Sequence, residues 1–487
     1  MARVGIALLI GLVVLAGVVI VRALDGPPNL PAEEPPLSIA LDAEAAAERF
    51  AGGLRIRTIS NGRDTGIPLD EAAFVAFHDY LDVSYPRVHA SLGRERVSGY
   101  SLLYTWAGSD PDLDPLLLLG HMDVVPVEPG TEPQWPEPPY AGNIRDGIVW
   151  GRGAIDNKAN VFGLMEATEL LLARGFEPRR TVILAFGHDE ELGGGDGAVA
   201  MAALLASRGV HPVLVVDEGG GVAEGLFPGI DTAVAAIGVA EKGAVNLELV
   251  VQSDGGHSSV PPAETAVGVL AKAIVRLQTS PFAAGLDGPM REMFETVGPS
   301  MNFGYRAVAA NLWLFSPLVE RALLASPRTA AMIRTTAAPT IFQAGVKSNI
   351  LPTVARAVVN FRIHPRDRIE SVVEHVRRAI DDPRVAVEVG GGREPSSVSP
   401  TDSEGYRLLA RTIRQTQPDA VVTPFLIFAG TDARHYRRLT SNVYGFQPVR
   451  LGPETLQLAH GIGEHLSVEN LVGATRFFAQ LIWNASL

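Results

Sequence analysis

The chain has 487 residues, 47% hydrophobic and 20% charged, a balance that supplies a large core and excludes a disordered or low-complexity protein. Its 41 Lys and Arg against 54 Asp and Glu leave a net charge of −13, the opposite of the basic footprint of a nucleic-acid binder. With no cysteine, disulfides, thiolate metal sites and a cysteine nucleophile are excluded as well.

The first element is an unbroken apolar run, residues 4–21, bracketed by Arg3 and Arg22. As a helix it would extend about 27 Å, enough to span the hydrocarbon core of a bilayer. It reads as an uncleaved membrane anchor. The alternative is a cleaved signal peptide, with Val21-Arg22-Ala23 as a weak small-residue site. The first reading gives a membrane-associated protein with an extracytoplasmic body, the second a secreted one. Residues 1–24 are therefore assigned to an anchor or signal segment. The proline-rich residues 25–37 follow as a stiff, extended linker.

Three short apolar runs come next, each ending in acids or histidines. Residues 116–119 lead into Gly120-His121-Met122-Asp123, 181–186 into Gly187-His188-Asp189-Glu190-Glu191, and 213–216 into Asp217-Glu218-Gly219. Apolar runs of that length, bounded by turn-forming residues, are expected to be strands buried on both faces. Between the first two, residues 160–174 place Val161, Leu164, Met165, Leu171 and Leu172 at helical spacing. Alternating strands and helices make an α/β sheet, in which ligands collect beyond the carboxyl ends of the strands.

The texture changes near Ala244. A strand at 245–252, a helix at 263–278, strands at 340–346 and 355–363, a helix at 368–380 and a strand at 385–389 give a β-α-β-β-α-β order. That order is ferredoxin-like, with a mostly helical insertion over 281–338. A helix at 406–417, a strand at 421–427 and a helix at 468–483 resume the α/β pattern. The expected division is a catalytic domain in two parts, 38–240 and 393–487, interrupted by a lid at 241–392.

Ligand-type side chains stand at the strand ends and beyond them: His121, Asp123, Asp156, Glu190, Glu191, Asp217, Glu218 and, far downstream, His460. Histidine and carboxylate without cysteine suit Zn2+, Co2+ or Mn2+. In a His-x-Asp pair the carboxylate can hold the second ring nitrogen of a metal-bound imidazole. Taken singly, each group has an ordinary alternative. Asp156-Asn157-Lys158 would serve as a helix N-cap, and Asp189-Glu190-Glu191 as a solvated turn. Three strand ends that crowd acids onto one rim repel one another unless cations sit among them. The pattern is therefore read as a two-metal site.

Five motifs carry a resemblance: Gly120-His121-Met122-Asp123-Val124-Val125-Pro126, Gly151-Arg152-Gly153-Ala154-Ile155-Asp156, Asp189-Glu190-Glu191-x-Gly193-Gly194, Asp217-Glu218-Gly219 and Gly256-His257-Ser258-Ser259. Together they resemble the M20 metallopeptidase family, from about Leu41 to the C-terminus. Asn311-Leu312-Trp313-Leu314-Phe315, Asn360-Phe361-Arg362-Ile363-His364-Pro365 and His460-Gly461-Ile462 resemble its carboxypeptidase S and peptidase M20 domain-containing protein 1 branch.

The resemblance implies a zinc-peptidase catalytic domain, a mixed sheet flanked by helices, interrupted by a ferredoxin-like α+β lid that also forms a homodimer. It implies two zinc ions per chain bridged by Asp156 and a water. One would also take His121 and Glu218, with Asp217 as the alternative to Glu218, and the other Glu191 and His460. Glu190 would be the general base and Asp123 would orient His121. His257 would reach across a dimer to the oxyanion, while Asn349 and Arg362 would grip the free carboxylate of a small-molecule or short-peptide substrate. Gly430-Thr431-Asp432 would line the same rim. The implied reaction is hydrolysis, and by reversal synthesis, of the amide of an N-acyl amino acid. A zinc carboxypeptidase acting on short peptides is the alternative. A non-catalytic metal-binding homologue is a second one, against which the intact set of His121, Asp156, Glu190, Glu191, Glu218 and His460 speaks. The apolar residues 312–324 would serve either an acyl tunnel or core packing.

Overall fold

The computed structural model describes residues 2–26, 34–61, 66–227, 229–455 and 457–487. Positions 27–33 of the expected linker lie outside the described residues. Helix α1 (Ala2–Leu24) is apolar between Arg3 and Arg22 and is the one helix among the described residues long and apolar enough to cross a membrane.

The main sheet begins with β1 (Gly93–Val97), β2 (Ser101–Trp106), β3 (Leu116–His121), β4 (Val182–Gly187), β5 (Leu214–Asp217), β6 (Gly221–Ala223) and β7 (Ala233–Glu241). Helix α2 (Lys158–Ala173) joins β3 to β4, and α3 (Ala198–Ser207) joins β4 to β5. Every residue of β3, β4 and β5 is buried, so these strands show no polar alternation. Side chains divide by parity instead. Leu116 and Leu118 enter the core that α2 helps to form, and Leu117 and Leu119 enter the core under α3. Each such leucine contributes about 1.5–3 kcal/mol through burial.

A second sheet follows, built from β8 (Gly243–Gln252), β9 (Thr336–Ala344), β10 (Val354–Ile363) and β11 (Val385–Arg393) in the order β9-β10-β8-β11, all antiparallel. Helices α4 (Ala266–Thr279) and α9 (Ile369–Ile380) cover one face, over a core that includes Leu247, Leu249, Val359, Phe361 and Val376. The β-α-β-β-α-β order is present. Between α4 and β9 lie α5 (Gly288–Val297), α6 (Phe303–Ala309), α7 (Leu312–Leu323) and α8 (Pro327–Ile333). This insertion ends earlier than the sequence suggests, because residues 336–338 already pair in β9. It packs against the main sheet, with Met290, Met293 and Val297 sharing a core with Val234 and Leu426. Of the apolar residues 312–324, only Leu312 is buried.

Helix α10 (Glu404–Thr416), strands β12 (Ala420–Ile427), β13 (Val443–Gly445) and β14 (Arg450–Leu451), and helix α11 (Val468–Ala485) return to the first unit. The completed ten-stranded sheet runs β1-β2-β4-β3-β5-β13-β7-β6-β14, with β12 beside β7. It is mixed: β3 is parallel to both β4 and β5, while β2 is antiparallel to β4. Helices on both faces complete an α/β architecture interrupted by an α+β unit. Register fixes the site, because His121 stands opposite Gly187 and Leu118 opposite Val216. The carboxyl ends of three adjacent strands are thereby level.

Candidate active site

His121 ends β3, Glu190 and Glu191 form the turn just after β4, and Asp217-Glu218 ends β5. Asp156 and His460 reach the same rim from loops. The two oxygens of Asp156 divide between two imidazoles: Oδ1 lies 3.0 Å from His121 Nε2, and Oδ2 lies 3.1 Å from His460 Nε2. His460 Nε2 is also 3.1 Å from Glu191 Oε1, and His121 Nε2 is 3.6 Å from Glu218 Oε1. Ligand atoms of His121, Asp156 and Glu191 lie within 4.8 Å of one another, as do those of His121, Glu190 and Glu218.

Asp123 sets the direction of this cluster. His121 Nδ1 donates to the Asp123 carbonyl at 3.0 Å and lies 3.2 Å from its carboxylate, which leaves Nε2 facing inward. The same carboxylate accepts the Glu190 and Glu191 backbone N–H groups at 3.2 and 3.1 Å. One buried side chain thus aims a residue of β3 and fixes the turn after β4. Glu218 is held by the Asn157 side-chain amide, which donates to its Oε2. A Cβ at Gly445 would overlap the Glu218 carbonyl oxygen, so glycine is needed there for β13 to lie against that backbone. Asp217 turns away, and its Oδ2 accepts the Ala433 N–H at 2.7 Å. Of the two acids left open by the sequence, Glu218 is the one that reaches the cluster.

Several groups that build the site were not singled out from sequence. Glu464 is fully buried and accepts N–H bonds from Gly153, Ile155 and Asp156 at 3.0, 2.8 and 3.1 Å. It also pairs with Arg152 at 2.6 Å, and Arg152 donates to the His460 carbonyl at 3.1 Å. That pair ties the Asp156 loop to the His460 loop. His460 itself has φ +61°, a left-handed conformation that few residues other than glycine adopt. An acid in the glycine-containing stretch Gly461-Ile462-Gly463-Glu464 was the available signal. Helix α2 begins only at Lys158, and its cap position is Asn157, whose side chain serves His121 N–H and Glu218 instead of the helix. Asp156 is therefore not acting as a cap.

The electrostatics show an excess of negative charge. Burial raises the Glu218 carboxyl to about 8, with repulsion from Asp156 adding to the rise. Burial also pushes Glu190 well above the ordinary carboxylate range; Glu218, Asp432 and Asp123 add to this, and His121 opposes it. Hydrogen bonds to Asp156 and Glu191 lift His460 to about 10. Among the described residues no lysine or arginine pairs within 4 Å with Asp156, Glu190, Glu191 or Glu218. Crowded carboxylates and two inward imidazole nitrogens are what bound divalent cations relieve, and an all-N/O donor set suits zinc, cobalt or manganese. The residues fit a metal centre.

Other expected residues stand apart. His257 lies on an exposed two-stranded ribbon, 256–257 against 350–351, where its Nδ1 accepts from the Ser259 N–H at 3.1 Å. Asn349 is also exposed, and its carbonyl accepts the Ser258 N–H at 3.2 Å. Arg362 projects exposed from β10. No described contact brings these three to the His121 cluster within one chain. Thr431 bonds Glu241 at 2.8 Å, and Asp432 is buried close to Gly187 and Gly194. Behind the 190–193 turn lies a cavity of about 260 Å³ lined by Lys242, Arg393, Arg434 and Arg437 against Glu241 and Glu394. Arg434 holds the Gly193 carbonyl at 2.8 Å, and the cavity's cationic excess suits an anion.

A sequence profile of peptidase family M20/M25/M40 matches residues 117–484. The chain is 41% identical over 441 residues to the probable carboxypeptidase S-like 2 of Dictyostelium discoideum, covering 90% of this chain and 84% of that one. It is 40% identical over 447 residues to the N-fatty-acyl-amino acid synthase/hydrolase PM20D1 of Mus musculus, covering 91% of this chain and 88% of the relative. Among solved structures, the M20 family metallo-carboxypeptidase Sso-CP2 from Sulfolobus solfataricus superposes with a TM-score of 0.64 at 17% identity, covering 91% and 99% of the two chains. That likeness is one of fold.

Proposed function

The chain belongs to peptidase family M20/M25/M40 and is a hydrolytic enzyme, and from that premise we propose that it cleaves, and by reversal forms, the amide bond of N-acyl amino acids. The reading as a non-catalytic homologue is set aside. What supports the chemistry is Asp156, whose two oxygens face two different imidazoles, with the carboxyl of Glu190 grouped beside His121 and Glu218. What supports the substrate is the relative named an N-fatty-acyl-amino acid synthase/hydrolase. A carboxypeptidase acting on short peptides is the second reading, favoured by the carboxypeptidase S-like relative.

In this reading His121, Asp156 and Glu218 would hold one zinc ion, and Asp156, Glu191 and His460 a second. Bound there, the ions would polarise the amide carbonyl and lower the pKa of water. Glu190, whose backbone N–H is fixed by Asp123, removes a proton from the attacking water and returns it to the leaving nitrogen. Asp123 keeps the proton on Nδ1 of His121, so that Nε2 stays free. Residues 38–240 and 393–487 form the catalytic domain, the helical insertion from α5 to α8 packs on it, and the rest of 241–392 forms the lid. Asn349 and Arg362 of the lid take the substrate carboxylate, and His257 of a dimer partner stabilises the oxyanion. Helix α1 anchors the protein with its body outside the cytoplasm; cleavage of α1 would make it a secreted enzyme.

Rates on an N-fatty-acyl amino acid and an N-blocked dipeptide with the same C-terminal residue test this reading. The acyl-amino acid should turn over faster, chelation should abolish both activities, and zinc should restore them. Faster dipeptide hydrolysis would reverse the ranking, and chelator-insensitive turnover would overturn the metal mechanism.

A further inference from the structure

Helix α1 is bare along most of its length, with Val4, Leu8, Leu12 and Val14 each about 60% or more exposed. Among its described side chains Leu15, Val19 and Ala23 lose the most exposure, and their spacing of four places them on one stripe. That stripe meets the insertion of the main sheet, where α1 packs on α6. The contact is anchored by a polar group. Asn311, fully buried, donates its Nδ2 to the Val19 carbonyl at 3.1 Å and to the Ala307 carbonyl at 2.9 Å. Its Oδ1 accepts the indole N–H of Trp313 at 3.2 Å. Both ends of one amide are thus used to tie Trp313 to the main chain of α1.

The position of that tie along α1 carries the inference. Val19 is three residues, about 4.5 Å along the axis, from Arg22, the charge that closes the apolar run. A bilayer crossed by α1 must therefore have its boundary within one turn of the Asn311 contact. Trp313 is 55% exposed there, with its N–H already satisfied and its ring bare. An amphipathic ring at that depth is the chemistry of an interfacial belt. Phe303 and Tyr305, half exposed at the start of α6, extend the apolar surface on the helix that α1 touches.

We propose that α6 and α7 form a foot that lies on the phospholipid leaflet from which α1 emerges, with Trp313 in the headgroup region and Asn311 fixing the tilt of the catalytic body. The other end of the insertion reaches the catalytic rim. The Ala331 and Arg334 carbonyls accept from Lys242 at 3.0 and 2.8 Å, next to Glu241, which holds Thr431. The foot therefore sets how the rim faces the lipid from which an acyl substrate would come. This rests on reading α1 as an uncleaved span, and the test separates the two.

The full chain is reconstituted in phosphatidylcholine vesicles, with or without acyl chains brominated near the headgroup. Flotation at high salt reports on the span. Bromine quenching of tryptophan emission, compared between the wild type and Trp313→Phe, reports on the foot. The protein should float, and bromine should quench a component no larger than that of one tryptophan in five, absent from Trp313→Phe. Asn311→Ala should float equally but lose most of that quenching, while hydrolysis of a water-soluble substrate stays unchanged in both variants. Flotation with identical quenching in the wild type and Trp313→Phe would overturn the foot and leave the span standing. Shielding of Trp313 from aqueous acrylamide without bromine quenching would mean that a second copy covers it, and would also overturn the proposal. Failure to float would overturn the span, and the foot with it.

Discussion

Replacing Glu464 with glutamine tests whether a side chain remote from the chemistry holds the catalytic cluster together. Its Oε1 accepts from the Ile155 and Asp156 N–H groups, and its Oε2 from the Gly153 N–H and the Arg152 guanidinium. Glutamine has one acceptor oxygen, so either orientation of its amide turns an NH2 toward two donors. Two hydrogen bonds worth about 1 kcal/mol each are lost. Arg152, only 4% exposed, also becomes a buried cation without its carboxylate. Breaking a buried pair in this way costs about 3–5 kcal/mol, which includes most of the hydrogen-bond loss. A chain of this length has an m-value above the roughly 3 kcal/mol/M of small proteins, so the urea midpoint should fall by about 1 M. Metal affinity should drop about 10–100-fold, the scale for losing an outer support of a ligand, because the Asp156 N–H is among those released. Urea titration by far-UV circular dichroism measures the first quantity, and zinc content after dialysis against graded zinc buffers the second. Arg152→Met with Glu464→Met removes both charges and should recover most of the stability. An unshifted midpoint together with full zinc retention in Glu464→Gln would refute the reasoning.

Glu190→Gln should keep its metal and lose about 10²–10⁴-fold in kcat, whereas Glu191→Gln should lose metal; the reverse pattern would exchange their roles. His257→Ala should lower kcat by about 10²–10³ at unchanged zinc content, and co-expression with Glu190→Gln should restore activity through mixed dimers. A verified mixed dimer without recovery, or a fully active monomer, would end the cross-subunit reading. Burial, helped by the charges of Arg366 and Lys242, holds the His364 imidazole at about 3, below its ordinary 6.5. The unfolded chain then takes up this proton first as pH falls, so stability is lost between pH 6.5 and about 3, at up to about 1.4 kcal/mol per pH unit. His364→Gln should flatten that slope relative to the wild type in urea titrations across pH 6.5–4, and equal slopes would count against it.

The sequence by itself determined the elements whose signal is local. Residues 116–119, 181–186 and 213–216 are apolar without alternation because both faces are buried, and they form β3, β4 and β5 with boundaries shifted by one or two residues. The order of the ferredoxin-like unit was legible for the same reason, since its strands and helices differ in hydrophobic period. The convergence of His121, Asp156, Glu190, Glu191, Glu218 and His460 could be anticipated from acids placed after strands that a parallel sheet must align. Tertiary structure alone chose between Asp217 and Glu218. Neighbouring residues at a strand end point to opposite sides, and only the packing of β13 and the Ala433 N–H decides which side faces the rim. It also assigned the insertion to the main sheet rather than to the unit that contains it in sequence, because the partners of Met290 and Met293 come from β7 and β12. The Arg152–Glu464 pair and the Asn311–Val19 contact join positions 312 and 292 residues apart. Each is a single polar group matched to one distant partner, with no periodicity to announce it, and its energy exists only once the chain has closed around it.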